Sequence, residues 1–279
     1  MLNLRPYAKK EPFLFHKDMV SSKRTPGTLE QLEEIESEIE EQYINHIRES
    51  TANTLENIVA LDINEVQKTA LKSLYDPRNK KIIDVKNSII TTLENRAIDL
   101  CQYCTINDVG TMDHILPKNN FPEYSVHTNN LFPCCSTCNS YKSNLWLLEG
   151  SRKFLNPYLD VLPQERYLFV ELVDSEGVID VNFILENRNE INPELFTLIC
   201  SHYECLHLLE RFKRSSHSVV SDLSYTIGPL FEYMSIEEIT STLTDAITKK
   251  FSYHGANHWK SVLEISLVQD VNFMSSFLD

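Results

Sequence analysis

The chain lacks a membrane segment, since none of its apolar runs approaches the roughly 20 residues that a spanning helix requires. Its first residues, MLNLRPYAKKEPFLF, also lack the long apolar stretch of a secretory signal. Both absences predict a cytoplasmic protein with no membrane partner. The sequence contains no internal repeat and no P-loop, Rossmann or nucleophile-elbow motif, so its function must be sought elsewhere.

Positive charge is scarce, because 26 lysines and arginines stand against 40 aspartates and glutamates and the net charge is −14. Phosphate neutralisation dominates affinity for nucleic acid, so strong non-specific binding by this chain alone is not expected. The basic residues that gather locally are interpreted as solvated surface, with local contact to a polyanion as the alternative. They form a predicted N-terminal tail with Lys9, Lys10, Lys17, Lys23 and Arg24, and a small cluster with Arg211, Lys213 and Arg214.

The spacing of apolar residues divides the 279 residues into three predicted regions. Residues 1–95 show helical spacing, whereas residues 96–160 change to short extended pieces, cysteine pairs and asparagine-rich turns. Residues 161–279 begin with RYLFVELVDSEGVIDVNFIL, which predicts two strands joined by a turn at the SEG sequence, and continue as helices. Cys200 and Cys205 in this last region are predicted to be core residues.

Three helices are predicted in the first region. The first begins at Thr28, which could form a capping box with Gln31, and runs for about five turns with a glutamate-rich outer face. The second begins at Asp62 and is ended by Pro77, and the third covers residues 82–100. The apolar side of the third helix is predicted to contain Ile83, Ile89, Ile90, Leu93 and Ala97.

Two cysteine pairs are the strongest local signal. Cys101-x-x-Cys104 and Cys135-x-x-Cys138 could supply four thiolates to a tetrahedral Zn²⁺ ion. A reducing cytoplasm favours metal binding over disulfides. Because four protein ligands leave no open position, the zinc is expected to be structural. Cys134 has only a C-x-x-x-C spacing with Cys138 and is left out of the site.

The sequence between the two cysteine pairs predicts a β-β-α unit held by this zinc. A short strand should lead from residue 110 to Asp113 and His114, and a second should begin at Asn130 and return to the second cysteine pair. Residues 136–146 are predicted to be a helix that carries Asn139 and Lys142 on one face.

Four features carry a resemblance to a known family: the segments CQYC, DHILPK and NNLFPCCSTCN, and the lysine three positions after the last asparagine. In these features the sequence resembles the HNH nuclease superfamily, also called ββα-metal nucleases. The resemblance implies an α+β fold with an HNH core and a four-cysteine zinc site inside a largely helical protein. Residues 96–160 would be the nuclease domain, between a helical region at 1–95 and a C-terminal region at 161–279. The implied activity is metal-dependent hydrolysis of phosphodiester bonds, with DNA favoured over RNA as substrate.

The resemblance also implies a role for each motif residue. His114 would be the general base that activates water, which suits an imidazole at cytoplasmic pH. Asp113 and Asn139 would be oxygen ligands of the catalytic ion, and an asparagine in place of a final histidine favours Mg²⁺ or Mn²⁺. Asn130 would orient His114, or be a simple turn residue. Lys142 would approach the phosphate, or be an ordinary solvated lysine.

The longer strings DHILPKNNFPEYSVHTNNLFPCC and FLNPYLD are similar to stand-alone bacterial HNH proteins encoded beside an ATPase in anti-phage systems, such as the PtuB subunit of Septu and of some retron systems. This likeness implies a defence nuclease whose ATPase partner helps to deliver DNA to an acidic chain. The alternatives are a self-sufficient restriction or homing-type HNH enzyme and a non-enzymatic zinc module.

Overall fold

The structure is a computed structural model that describes residues 1–91, 99–175 and 178–278. These residues form two units. The N-terminal unit is Asn3–Val161, and the C-terminal unit combines Met1–Leu2 with Leu162–Asp279. Helices and short strands make up both, so the predicted α+β class is confirmed. None of the described helices is long and apolar enough to cross a membrane.

The N-terminal unit consists of helices followed by short antiparallel strands. In chain order its elements are α1 (Pro12–Val20), α2 (Pro26–Glu34), α3 (Glu36–Ala52), α4 (Glu65–Lys72), α5 (Lys80–Ile90), β1 (Thr111–His114), β2 (Leu131–Cys134), α6 (Ser136–Lys142), β3 (Leu147–Leu148) and β4 (Ser151–Arg152). Whether the regions 1–95 and 96–160 act as separate domains stays a prediction.

The predicted basic tail is wrong, because α1 lies within it and is part of the folded unit. Glu11 caps α1 by accepting hydrogen bonds from the backbone of its first turn. Phe15 and Met19 are 3% and 2% exposed, so the apolar face of α1 belongs to the core. Four of the five basic side chains are held by acceptors: Lys9 pairs with Asp84, Lys10 with Asp18 and Lys17 with Glu36, and Lys23 donates to the Ser73 carbonyl.

The first predicted helix is two helices, with a break at Ile35. The backbone of Ile35 leaves the helical region at φ −109° and ψ 14°, while its side chain stays buried. The predicted capping box at Thr28 is also wrong, since α2 begins at Pro26 after Thr25. Proline lacks the N–H that the first helical turn leaves unpaired, and its φ suits this position, so the helix begins earlier.

The second and third predicted helices are present with different ends. α4 begins after Asn64, which forms a capping box with Gln67, rather than at Asp62. α5 ends at Ile90, and the predicted positions Leu93 and Ala97 lie outside the described residues. Ile83 was assigned to the apolar side but is 39% exposed. The buried side of α5 consists of Ile82, Val85 and Ile89.

The predicted β-β-α unit is confirmed. β1 and β2 pair antiparallel, with Asp113 opposite Phe132 and His114 opposite Leu131. α6 follows β2 directly, starting after Cys135 and ending at Lys142, four residues before the predicted end. The short β1–β2 ladder therefore places two motif residues at the end of one strand, close to the helix that carries Asn139.

The C-terminal unit is a β-hairpin packed against helices. Its elements are β5 (Leu168–Ser175), β6 (Val178–Leu185), α7 (Pro193–Cys205), α8 (Leu208–Ile227), α9 (Ile236–His254), α10 (Trp259–Gln269) and α11 (Val271–Ser275). The predicted hairpin and helices are confirmed, while the turn at residues 176–177 lies outside the described residues. Phe212 of α8 stacks on Trp259 of α10 at a centroid distance of 5.6 Å.

The cysteines and the basic cluster of this unit differ from the predictions. Cys200 and Cys205 lie on α7 but are only half-buried, so the prediction that they are core residues is wrong. The small basic cluster is partly neutralised: Lys213 pairs with Asp180 at 2.9 Å, and Arg214 lies 3.7 Å from Glu210. Neither Lys213 nor Arg214 is therefore an isolated cation that could bind nucleic acid.

Candidate active site

The four predicted zinc ligands converge into one cluster. The Sγ atoms of Cys101, Cys104, Cys135 and Cys138 all lie within 4.8 Å of one another, and all four residues are buried. Sγ atoms of Cys104 and Cys135 are 3.9 Å apart. Zn–S bonds of about 2.3 Å in a tetrahedron place neighbouring sulfurs about 3.8 Å apart, so the cluster fits a zinc ion.

Neighbouring N–H groups point at the sulfurs and would stabilise thiolates. The backbone N–H of Ile106 lies 3.5 Å from Cys104 Sγ, and that of Cys138 lies 3.4 Å from Cys135 Sγ. Asn107 adds a side-chain N–H at 3.9 Å from Cys135 Sγ. Such contacts to ligand atoms orient the ligands and tune the metal they hold. Cys134 contacts Thr111 at 3.4 Å instead.

A cavity of about 710 Å³ opens beside the β1–β2 ladder. Three of the predicted catalytic residues, Asp113, His114 and Asn139, line it together, although they come from a strand and a separate helix. The other lining residues are Tyr75, Pro77, Gly110, Thr111, Met112, Pro117, Lys118, Asn119, Ser136, Ser140, Ser143 and Asn144.

His114 is held in a single useful tautomer by its surroundings. Its Nε2 lies 2.9 Å from the carbonyl oxygen of Ser125, and because a carbonyl oxygen only accepts, Nε2 must carry the proton. Nδ1 of the neutral ring therefore keeps its lone pair. Burial lowers the pKa of His114 to about 3, with smaller lowering from the charges of Lys118 and Lys142, so the ring is neutral at physiological pH.

Asn130 is fully buried and braces the segment that holds His114. Its Oδ1 accepts from the backbone N–H of Leu116 at 2.7 Å. Its Nδ2 donates to the carbonyl oxygens of Leu116 and Tyr124 at 3.0 and 3.1 Å. Ser125, which bonds the His114 ring, follows Tyr124 directly. The contacts fit the orienting role that the resemblance implies for Asn130, and they are too many for a simple turn residue.

Lys142 differs most from its predicted role. It is 1% exposed, does not line the cavity, and donates a hydrogen bond to the carbonyl oxygen of His114 at 2.7 Å. Its Nζ lies 3.2 Å from Asp113 Oδ2, at ion-pair distance. Burial raises the pKa of the Asp113 carboxyl, and the charge of Lys142 opposes that rise. Neither a phosphate contact nor a solvated surface position describes this residue; it is a buried counter-ion.

Two side-chain oxygen atoms at the cavity, from Asp113 and Asn139, suit a hard divalent ion. Asn139 donates its Nδ2 hydrogen to Thr111 Oγ1 at 3.3 Å, and among the described residues its Oδ1 accepts no hydrogen bond. Asp113 Oδ2 is buried and has no hydrogen bond within the described chain apart from the ion-pair contact of Lys142. Carboxylate and amide oxygens are the ligands that Mg²⁺ and Mn²⁺ prefer, so the donor set fits such an ion.

Two residues with no role assigned from the sequence also reach this site. The ring of Tyr75 meets that of His114 edge to face, with centroids 4.6 Å apart, and its hydroxyl donates to the Met112 carbonyl at 3.3 Å. Lys118 Nζ lies 4.7 Å from the centre of the Tyr75 ring. Lys118 belongs to the DHILPK string, which was a usable signal. Tyr75 stands outside every motif, so no sequence signal marked it.

Comparison with known proteins agrees with this geometry. Residues 101–145 match the family model described as HNH endonuclease. These residues form an HNH endonuclease domain, and the resemblance to that family is confirmed. A metal-dependent nuclease acting on nucleic acid is the function that such a domain supports.

A relative of the longer chain was also found. Protein ea31 of Escherichia phage lambda is 22% identical over 234 residues, which cover 76% of this chain and 76% of the relative. No solved structure matches the chain. The similarity to ea31 extends well beyond the 101–145 segment, so the relationship includes helices outside the HNH domain. The likeness to Septu subunits stays a prediction.

Proposed function

We propose that this protein is a metal-dependent endonuclease that hydrolyses phosphodiester bonds in DNA, with His114, Asp113 and Asn139 as its reaction centre. The observation that carries the proposal is the His114–Ser125 hydrogen bond, which leaves Nδ1 as a free base in a cavity that also contains two oxygen donors for a metal ion. A zinc-binding module without catalytic function would have no use for this arrangement.

The proposed chemistry follows from which atoms are free. Asp113 and Asn139 would hold a divalent ion, which when bound supplies Lewis-acid stabilisation of the charge developing on the phosphate. His114 Nδ1 takes a proton from the water whose oxygen attacks phosphorus. The ester bond between phosphorus and the leaving sugar oxygen breaks, and that oxygen takes a proton from solvent water. The Nε2 proton stays bonded to the Ser125 carbonyl, which stabilises the imidazolium formed in that step. Burial keeps the His114 ring neutral, which is the form that can accept a proton.

The charge of the chain supports delivery of DNA by a partner. At −14 the protein repels a polyanion, and Lys9, Lys17 and Lys213 are paired with acids. Phosphate contacts supply most of nucleic-acid affinity, so the isolated chain is expected to bind duplex weakly at physiological salt. A docked partner raises the effective DNA concentration at the cavity. We infer that the partner is an ATPase and that the pair acts in bacterial anti-phage defence.

The test is cleavage by the purified full-length chain. Plasmid, single-stranded DNA and tRNA are each incubated with Mg²⁺, with and without the co-encoded neighbouring proteins, and His114→Ala serves as the inactive control. Cutting of DNA that rises sharply when a neighbouring ATPase is added supports the whole proposal. Rapid cutting by the chain alone, unchanged by any neighbour, replaces it with a self-sufficient restriction-type enzyme, and cutting of tRNA only replaces DNA with RNA.

A further inference from the structure

Lys118 differs from Lys17 and Lys142 of the N-terminal unit in its partners. Whereas Lys17 and Lys142 face carboxylates, Lys118 forms no ion pair within the described residues and rests over the Tyr75 ring. It is half-buried and lines the cavity with Asp113 and His114. A cation held by an aromatic face keeps its full charge, because the ring attracts it without neutralising it. Lys118 is therefore a positioned charge in the wall of the cavity, with no carboxylate at ion-pair distance among the described residues.

Tyr75 connects this charge to the proposed base. It reaches the cavity from the segment between α4 and α5, outside the 101–145 match, and its hydroxyl is tied to the backbone of β1 at Met112. The same ring contacts the His114 imidazole and carries the Lys118 ammonium group over its face. Removing the ring would release both groups at once.

The wider surroundings of Lys118 are also suited to an anion. Burial lowers the pKa of Lys118, the positive charge of Lys72 lowers it further, and Asp113 opposes both. Lys72 does not line the cavity, but its charge acts on Lys118, so a second cation lies within electrostatic range of this part of the cavity. Two neighbouring ammonium groups repel each other until an anion lies between or beside them.

We propose that Lys118 binds a backbone phosphate of the nucleic-acid strand that is cut, and that Tyr75 is a positioning residue that holds both Lys118 and the His114 ring. This inference rests on the proposed nuclease function and gives it a phosphate-binding residue in place of Lys142. It identifies the ligand as a nucleic-acid phosphate because the same cavity contains the groups proposed to attack one.

The first experiment measures binding, so that it does not depend on cleavage. Full-length His114→Ala protein, alone and with Lys118→Met, Lys118→Arg or Lys153→Met added, is titrated with single-stranded and duplex oligonucleotides from about 20 to about 200 mM salt. Loss of one phosphate contact reduces the slope of log affinity against log salt by about one. We expect that reduction for Lys118→Met and not for Lys118→Arg. Lys153, a half-buried lysine outside the cavity, is the matched control and should leave the slope unchanged.

The second experiment measures steady-state cleavage with Mg²⁺ in the otherwise wild-type chain, with the neighbouring protein present if cutting requires it. Lys118→Met should raise KM about 10- to 100-fold with a much smaller change in kcat, since a charged hydrogen bond to phosphate exists before and during the reaction. Tyr75→Leu should raise KM and also lower kcat, each by about 3- to 30-fold, whereas Tyr75→Phe, which keeps the ring, should stay within about threefold of wild type.

The outcomes separate this inference from the proposed function. An unchanged salt slope in Lys118→Met, or an equal reduction in Lys153→Met, overturns the phosphate contact even if the wild-type enzyme cuts DNA well. Changes of KM and kcat in Tyr75→Phe as large as those in Tyr75→Leu overturn the positioning role of the ring. Failure of the wild-type chain to cut any nucleic acid, both alone and with the neighbouring proteins, overturns the nuclease, while the binding experiment still decides the role of Lys118.

Discussion

His114 donates its Nε2 hydrogen to the carbonyl oxygen of Ser125 over 2.9 Å. The two residues are eleven positions apart in the chain, and the fully buried Asn130 braces the loop between them with three hydrogen bonds. The base of the proposed reaction is thus oriented by a main-chain group, which no side-chain substitution removes directly. Its orientation should depend on whatever holds the loop.

Substitution of the base is the most direct test. His114→Ala should reduce cleavage by about 10²- to 10⁴-fold or more, because a positioned general base contributes on that order. Zinc content and thermal unfolding should stay close to those of the wild type. Cleavage at the wild-type rate by this variant, on the same substrate, would remove His114 from the mechanism.

Asn130→Ala should weaken both stability and catalysis. The substitution leaves the Leu116 N–H and two carbonyl oxygens without their buried partner, at a cost of about 2 to 4 kcal/mol in the free energy of unfolding. kcat should fall even at temperatures where the variant is fully folded, because the Ser125 carbonyl loses its position. The matched control is Asn129→Ala, since Asn129 bonds the His127 ring through its backbone N–H, which the substitution keeps. Equal effects of the two substitutions would contradict the bracing role.

The cysteine cluster predicts a selective response to substitution. Cys101→Ser or Cys135→Ser should release the metal and unfold the β1–β2–α6 unit, because structural zinc contributes an apparent binding free energy of roughly 10 kcal/mol or more. Cys134→Ser changes a buried neighbour outside the cluster and should keep about one zinc per chain by elemental analysis. Folded, active wild-type protein without zinc would show that the cluster has another purpose.

Three buried histidines predict a dependence of stability on pH. Burial lowers the pKa values of His16 and His46 to about 4 and holds that of His127 well below its usual range. Unfolded histidines bind protons below about pH 6.5, while the folded ones stay neutral until about pH 4. The unfolded state therefore gains protons first, and the stability present above pH 6.5 is lost as the pH falls through that window.

The contribution of one histidine can be isolated by difference. As the pH falls from about 6 to about 4.5, the free energy of unfolding of the wild type decreases. In His46→Gln that decrease should be smaller by about 1.4 kcal/mol per pH unit, measured by chemical denaturation. His217→Gln, which removes an exposed histidine of the C-terminal unit, is the control for the substitution itself. A wild-type slope in His46→Gln would show that the neutral ring of His46 does not stabilise the fold.

Substitution of Lys142 should change stability, whereas substitution of Lys118 should change the salt dependence of DNA binding. Lys142→Met leaves the buried Asp113 carboxylate without its counter-ion. The protein with zinc but without the catalytic ion should therefore lose about 3 to 5 kcal/mol in its free energy of unfolding. Added Mg²⁺ should restore part of that loss if it binds Asp113. The salt dependence of DNA binding should not change, because Lys142 does not line the cavity. A reduced slope of log affinity against log salt in Lys142→Met would show that Lys142 contacts a phosphate after all.

The local parts of the site could be predicted from sequence. The spacing within CQYC and CSTC places paired sulfurs on tight turns, and the DH and NNLFP segments extend into strands that must meet if both cysteine pairs share one metal. Short-range chain geometry and the demands of a tetrahedral ion determine these features, so β1, β2, the start of α6 and the zinc cluster could all be placed from the order of residues alone.

Tertiary structure alone decided the rest. Three of these features join residues that are far apart in the chain. Lys142 is buried against Asp113, Lys9 of the predicted basic tail pairs with Asp84, and the Tyr75 ring contacts His114. Helical periodicity says which positions share a face, but not which of them another element will cover. The charge state and direction of a side chain depend on the neighbours that the whole fold brings to it, because desolvation and pairing are set by three-dimensional packing rather than by spacing along the chain.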